Sequence, residues 1–194
     1  CGSKTRTYSR KTSDGRTVET LHCDNPQCDS QITRRFVHFA SKKAMNIEGL
    51  SEATLEKFLN LGYLHSFQDI YHLEEHREDI VALDGYGEKS FDRLWESINA
   101  SRRTSFVRYL VSMDIPMIGR TKSRILDTVF SGNLTAFEQA AVGDYDFTQL
   151  EDFGEILNHN IHSWFADEAN LDLWKNLQNE FTFEQRKEET IMTK

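Results

Sequence analysis

Four short strings recur along the chain, and they constrain its fold more than any other feature. Ile47-Glu48-Gly49-Leu50-Ser51 is followed by Leu83-Asp84-Gly85-Tyr86-Gly87, then Ile115-Pro116-Met117-Ile118-Gly119, then Leu150-Glu151-Asp152-Phe153-Gly154. Their last residues stand at 51, 87, 119 and 154, so the steps between them are 36, 32 and 35 residues. Each string places an apolar residue before a short turn and an amphipathic pattern after it. Helical solenoids also repeat at about 34 residues, but they bury their small residues inside helices. Here the glycines lie at the turns, which favours helix-hairpin-helix units over a tetratricopeptide stack.

The surrounding sequence agrees. Only two prolines, Pro26 and Pro116, interrupt 194 residues, and from residue 31 to about 181 the strong periodicities are helical. Ile32, Arg35, Phe36 and Phe39 predict a first helix over 31–44. Residues 4–22 differ: they are rich in Thr, Tyr and Val around Ser13-Asp14-Gly15, a combination that predicts a two-stranded hairpin. The expected architecture is therefore mainly α. A helix-hairpin-helix array over 32–181 follows a small zinc-finger-like β-hairpin module over 1–31, and 182–194 form a polar tail or linker. No apolar run is long enough to cross a membrane and no secretory leader is visible, so the expected location is the cytoplasm.

A lone hairpin is marginally stable and needs an anchor. Cys23 and Cys28 form a C-x4-C pair, with Cys1 twenty-two residues before Cys23. Thiolates at such spacing suit tetrahedral zinc, with sulfurs about 2.3 Å from the metal. Four ligands are required and three cysteines are present. Cys1-Gly2-Ser3 reads as the second half of a C-x-x-C knuckle, and His22 is a conceivable but cramped fourth ligand. Free thiols in a reducing compartment are the plain alternative, and an odd cysteine count argues against a disulfide framework.

At each turn a glycine lets a ligand approach the backbone, and the following helix opens with unpaired N–H groups and a partial positive charge. Both suit a phosphate oxygen, which positions a nucleic acid without reading its sequence. The second unit offers Gly85, Gly87 and Lys89; the third offers Gly119, Arg120 and Lys122. The first keeps Gly49 but has Ser51 at the second glycine position, with Lys57 the nearest cation. The fourth keeps Gly154 but has Asp152 in place of its earlier glycine. A glycine-capped corner between two helices needs no ligand at all, and that is the plain reading of every unit.

Charge divides along the chain. Residues 1–45 carry nine Lys/Arg against four Asp/Glu, giving +5; residues 46–194 carry fourteen against twenty-seven, giving −13. The acidic part would oppose the approach of a polyanion, so contacts there must be local. Two other motifs carry little chemistry. His72-Leu73-Glu74-Glu75-His76 has inverted zinc-protease spacing, but it stands in a very polar stretch with no third ligand in view. Lys11-Thr12-Ser13-Asp14-Gly15 resembles a K-x-D-G nucleophile with one residue too many, in an exposed turn that would not depress a lysine's pKa.

The order hairpin, Cys-x-Asn-Pro-x-Cys, Gln31, Arg35-Phe36-Val37-His38-Phe39 and Ala44-Met45-Asn46-Ile47-Glu48-Gly49-Leu50 closely resembles the bacterial NAD-dependent DNA ligases. Gly85 to Ser90, Ser101-Arg102-Arg103, Ile118-Gly119 and Ser163-Trp164-Phe165 extend the resemblance over residues 1 to 181. The resemblance implies a segment that grips the minor-groove side of nicked double-stranded DNA, in the bacterial nucleoid. Cys1, Cys23 and Cys28 would hold structural Zn2+ with a fourth cysteine upstream. The adenylated lysine, the NAD and Mg2+ sites and the oligonucleotide-binding domain would lie upstream in cis, and a BRCT domain would follow. This segment alone would then seal nothing. Asp29-Ser30, Met117 and Asp152 depart from the family pattern. Two other readings stay open: a helix-hairpin-helix module of a different repair protein, and an acidic helical domain that binds proteins.

Overall fold

A computed structural model describes residues 1–12, 14–23, 25 and 28–184. Among them, two strands pair near the start: β1 (Thr5–Lys11) and β2 (Thr17–Cys23), antiparallel, with Thr5 opposite Cys23 and Lys11 opposite Thr17. The Thr12 and Gly15 backbones close the turn, with Gly15 in the left-handed region at φ 80°. Ser13 and the side chains of Lys11 and His22 lie outside the described residues, so the lysine motif and the His22 ligand do as well.

Ten helices follow among the described residues. The first, α1 (Asp29–Ala40), starts two residues before the sequence expectation and ends four before it. Its early start uses Cys28 as N-cap and Asp29 to complement the dipole. It ends because the chain folds back at once, Met45 N–H donating to Phe39 C=O and Ile47 N–H to Ala40 C=O. Next come α2 (Glu52–Asn60), α3 (Phe67–Ile70), α4 (Arg77–Val81) and α5 (Glu88–Ser101). The second half contains α6 (Phe106–Ser112), α7 (Arg120–Val129), α8 (Leu134–Val142), α9 (Glu155–Ala166) and α10 (Glu168–Leu177).

The buried aromatic rings form two linked groups. Around α1, Phe39 stacks on Phe67 at 4.3 Å, with Phe36 and Tyr71 edge-on. In the second half, Phe137 meets Phe106, Phe147, Phe165 and Trp174 at 5.6–6.1 Å. Tyr109 bridges the groups: its hydroxyl donates to Trp174 C=O at 2.6 Å, and its ring meets Phe181 and Phe183. Each ring buried in this way contributes about 1.5–3 kcal/mol of transfer free energy.

The boundary expected after 181 falls inside a structured strap. β3 (Arg103–Thr104) and β4 (Thr182–Phe183) pair in parallel, and Glu184 binds Arg103 at 3.0 Å. Phe181 and Phe183 pack on the core, which is why a stretch that looks like tail by composition is fixed. Residues 185–194, the rest of that expected tail, lie outside the described residues.

Candidate nucleic-acid interface and cysteine cluster

All four recurring strings fold the same way. The third residue of each lies in the left-handed region: Gly49 at φ 95°, Gly85 at 83°, Met117 at 65° and Asp152 at 61°. The fourth residue, Leu50, Tyr86, Ile118 or Phe153, packs inward, and the fifth is the N-cap of the next helix. In the last three strings the fourth N–H donates to the first C=O at 2.9–3.1 Å. A bend of this kind with a positive φ at its third residue is a type II turn, and Pro116 at its second position has the φ that turn requires.

The corners associate in two pairs. Glu48 N–H, in the first turn, donates to Ser97 Oγ of α5 at 2.7 Å, and Leu94 lies 3.3 Å from where a Cβ on Gly49 would stand. In return, Lys57 of α2 donates to Asp84 C=O at 3.3 Å and covers the Tyr86 ring. The other pair repeats the exchange. Asn160 of α9 donates to Pro116 C=O at 2.9 Å, while Lys122 of α7 donates to Asp152 C=O at 2.5 Å and covers Phe153.

Two of these cations make contacts within the molecule. Lys122 is 21% exposed and 3.7 Å from the Asp152 carboxylate, and in this structure it holds the fourth turn. Lys57 does the same for the second turn. Lys89 and Arg120 are exposed and have no ion-pair partner among the described residues.

The N-cap glycines behave differently from the turn glycines. Gly87, Gly119 and Gly154 have extended backbones that any residue adopts, and a Cβ on any of them would meet nothing within 4 Å. Neither conformation nor packing asks for glycine at these three positions. None receives a side-chain cap, so the first amides of α5, α7 and α9 stay open. At the first corner Ser51 Oγ accepts from Thr54 N–H instead.

The local charges then rank the corners. The first turn of α7 contains no acid and includes Arg120. On α5, Glu88 is held with Asp92 by Arg77, both at 2.6 Å, and these bonds raise the pKa of Arg77 further above its ordinary value. Lys89 is thereby left as the free charge at that helix start. The fourth corner adds exposed Glu151 and Glu155, and the first adds Glu48 and Glu52. A cleft of about 1020 Å³ lies between the first two corners and holds Arg93, Arg103 and Arg108, which the turn motifs do not flag. Arg108 is spent on the Lys42 and Ala44 carbonyls, whereas Arg93 and Arg103 are exposed, Arg103 beside Glu184.

The three cysteines do converge. Their sulfurs lie within 4.8 Å of one another, and Cys1 Sγ is 3.5 Å from Cys23 Sγ. Sulfurs on tetrahedral zinc at about 2.3 Å are separated by somewhat under 4 Å, so these fit three corners of the site. Hydrogen bonding from the Gln31 and Ser30 backbone lowers the Cys28 thiol's pKa against its burial, which favours the thiolate a metal needs. Gln31 also ties the cluster to α1 through Cys23 C=O. His72 and His76 do not converge on a metal: His72 binds Glu180 at 2.9 Å and His76 stacks on Tyr63 at 4.5 Å.

The chain is 35% identical to a DNA ligase of Ruminiclostridium cellulolyticum over 168 residues, 87% of this chain and 25% of that protein. It is 37% identical to a DNA ligase of Spiroplasma citri over 149 residues, and 36% identical to one of Acinetobacter baylyi over 146. Those matches cover 77% and 75% of this chain, and 22% and 21% of the relatives. The chain is homologous to one segment of the DNA ligases. It spans about a quarter of the length of the ligases it matches, and no family model matches it. Among the described residues no helix is long and apolar enough to cross a membrane.

Proposed function

We propose that this chain is the duplex-gripping segment of an NAD-dependent DNA ligase, and that it holds nicked double-stranded DNA from the minor-groove side without reading its sequence. The observation that carries this reading is the set of N-cap glycines at 87, 119 and 154, for which the protein's own packing gives no reason. A glycine there leaves room for a sugar-phosphate backbone to reach the open amides, with Lys89 and Arg120 supplying charge beside them. The DNA ligase homology of most of the chain supports it independently.

The second and third corners make the strongest phosphate contacts in this proposal. The first contributes through Gly49 and Ser51, and Gly154 of the fourth stands at the margin, because Glu151 and Glu155 repel a phosphate. Zn2+ on Cys1, Cys23 and Cys28, with a fourth ligand from outside the chain, would staple the hairpin to α1; its contribution there is structural. NAD, Mg2+ and the adenylated lysine belong to other domains of the whole ligase, acting in cis. The whole enzyme works in the bacterial cytoplasm, at the nucleoid.

The test is fluorescence anisotropy with nicked and intact labelled duplexes over a range of salt. Each neutralised phosphate should contribute about −0.9 to the log-log salt slope. Combining Gly87→Val with Lys89→Ala should weaken binding about tenfold, uniformly across sequences, with the fold retained because a valine side chain there meets no clash and the loss of a glycine N-cap costs about 1 kcal/mol at most. Unchanged affinity in that variant would reject the corners as the binding surface. An absence of duplex affinity at low salt would favour an acidic protein-binding domain instead.

A further inference from the structure

Met117 occupies a costly position and buries little of its side chain in return. Its φ of 65° is in the left-handed region, where the first two corners place glycine, and its side chain is 68% exposed. Long apolar side chains seldom adopt that conformation, and one held there with most of its surface exposed points to a role outside the molecule. Ile156, 65% exposed, is the other prominent exposed hydrophobe of this corner pair. It lies one helical turn before Asn160, the residue that grips the third turn, so both face that turn.

We infer that Met117 is an apolar wedge that enters the minor groove of the bound duplex at the third corner, with Ile156 beside it. This rests on the duplex-binding reading above. Methionine is among the side chains that proteins insert at base steps from the minor groove, unstacking them and bending the duplex. The neighbouring charges favour a nucleic acid over a protein surface. Arg120 is exposed three residues on, the first turn of α7 has no acid, and Gly119 leaves open space where a side chain would stand. Glu151 and Glu155, exposed beside Ile156, oppose a polyanion, so Ile156 stands at the edge of the contact while Met117 and Arg120 lie nearer its centre.

A wedge and a structural methionine predict opposite couplings between stability and binding. Met117→Gly relieves the backbone, so the melting temperature should rise by about 2–4 °C. The same change should weaken binding of the full chain to a short nicked duplex about tenfold. It should also abolish any shortening of the distance between fluorophores on the two duplex ends. Met117→Leu, equally strained but apolar, should keep both the affinity and the bend. If the unsubstituted chain binds and Met117→Gly binds and bends DNA equally well, the wedge is overturned while the duplex-gripping reading stands. If the unsubstituted chain does not bind at low salt, both fall.

Discussion

The two corner pairs share one backbone and reach it by different sequences. In the first pair the left-handed positions are Gly49 and Gly85; in the second they are Met117 and Asp152, within about 35° of the same φ. The second pair therefore carries strain of about 1–2 kcal/mol per residue that the first avoids. Part of it is offset at the fourth turn, where Lys122 grips both the carbonyl and the carboxylate of Asp152. At the third turn Asn160 holds the carbonyl of Pro116, the residue before Met117. A glycine motif is thus a sufficient sign of this turn and not a necessary one. The fourth string, which lacks the earlier glycine, folds as fully as the second.

The largest test of this comparison concerns which glycines the fold requires. Gly49→Val should destabilise the chain by about 3 kcal/mol, because it combines a left-handed β-branched residue with a clash against Leu94. Gly119→Ser, which gives the third corner the N-cap of the first, should change stability by less than about 0.5 kcal/mol. Thermal denaturation of the two variants measures the contrast, and equal losses would erase the division between turn and N-cap glycines.

A smaller effect should separate a cation that holds a turn from one that meets DNA. Lys122→Met keeps the stem over Phe153 and removes the ammonium, and should cost about 1 kcal/mol of stability. Its effect on duplex affinity should be slight. The reverse outcome, weaker binding with unchanged melting, would return Lys122 to the DNA surface.

The smallest effect lies at the strap. Glu180 receives His72 at 2.9 Å and Arg102 at 2.6 Å. Burial pushes its carboxyl pKa up, but the two cations together hold it below the ordinary 4.5. The hydrogen bond to Glu180 raises His72 above its ordinary 6.5, against a small desolvation effect. Because the folded value is the higher, the His72 contribution is complete below pH 6.5 and is lost as pH rises through the elevated value. With His72 half-exposed and screened by solvent, it amounts to about 0.5 kcal/mol. Comparing wild type with His72→Gln in denaturant at pH 6 and pH 8 should show a gap at the lower pH that closes at the higher. A constant gap would mean that His72 acts by packing.

Much of this was legible in the sequence. The strings at 47–51, 83–87, 115–119 and 150–154 identify every corner because turn chemistry and apolar anchors are local properties. The three cysteines identify their cluster because ligand spacing is local as well. The direction of a long cation is not. Lys122 and Arg120 look alike two residues apart after Gly119, and only the fourth turn, thirty residues on, decides that Lys122 points inward. The same limit hid the strap: Phe181 and Phe183 sit in a polar stretch, and their partners Tyr71, Tyr109 and Thr104 lie far back in the chain.

The strap also bears on the order in which the molecule assembles. Its Arg102–Glu180 contact joins groups 78 residues apart, whereas the corners close between near neighbours. Closing a loop of that size costs more chain entropy than any corner does, and nothing rewards it until the loop's own helices have packed. The corners can therefore form early and independently, while the parallel ladder waits for the Trp174 layer beneath Tyr109. Residues 181–184 then close over helices that have already packed, which makes the ladder the most topology-dependent contact of the strap.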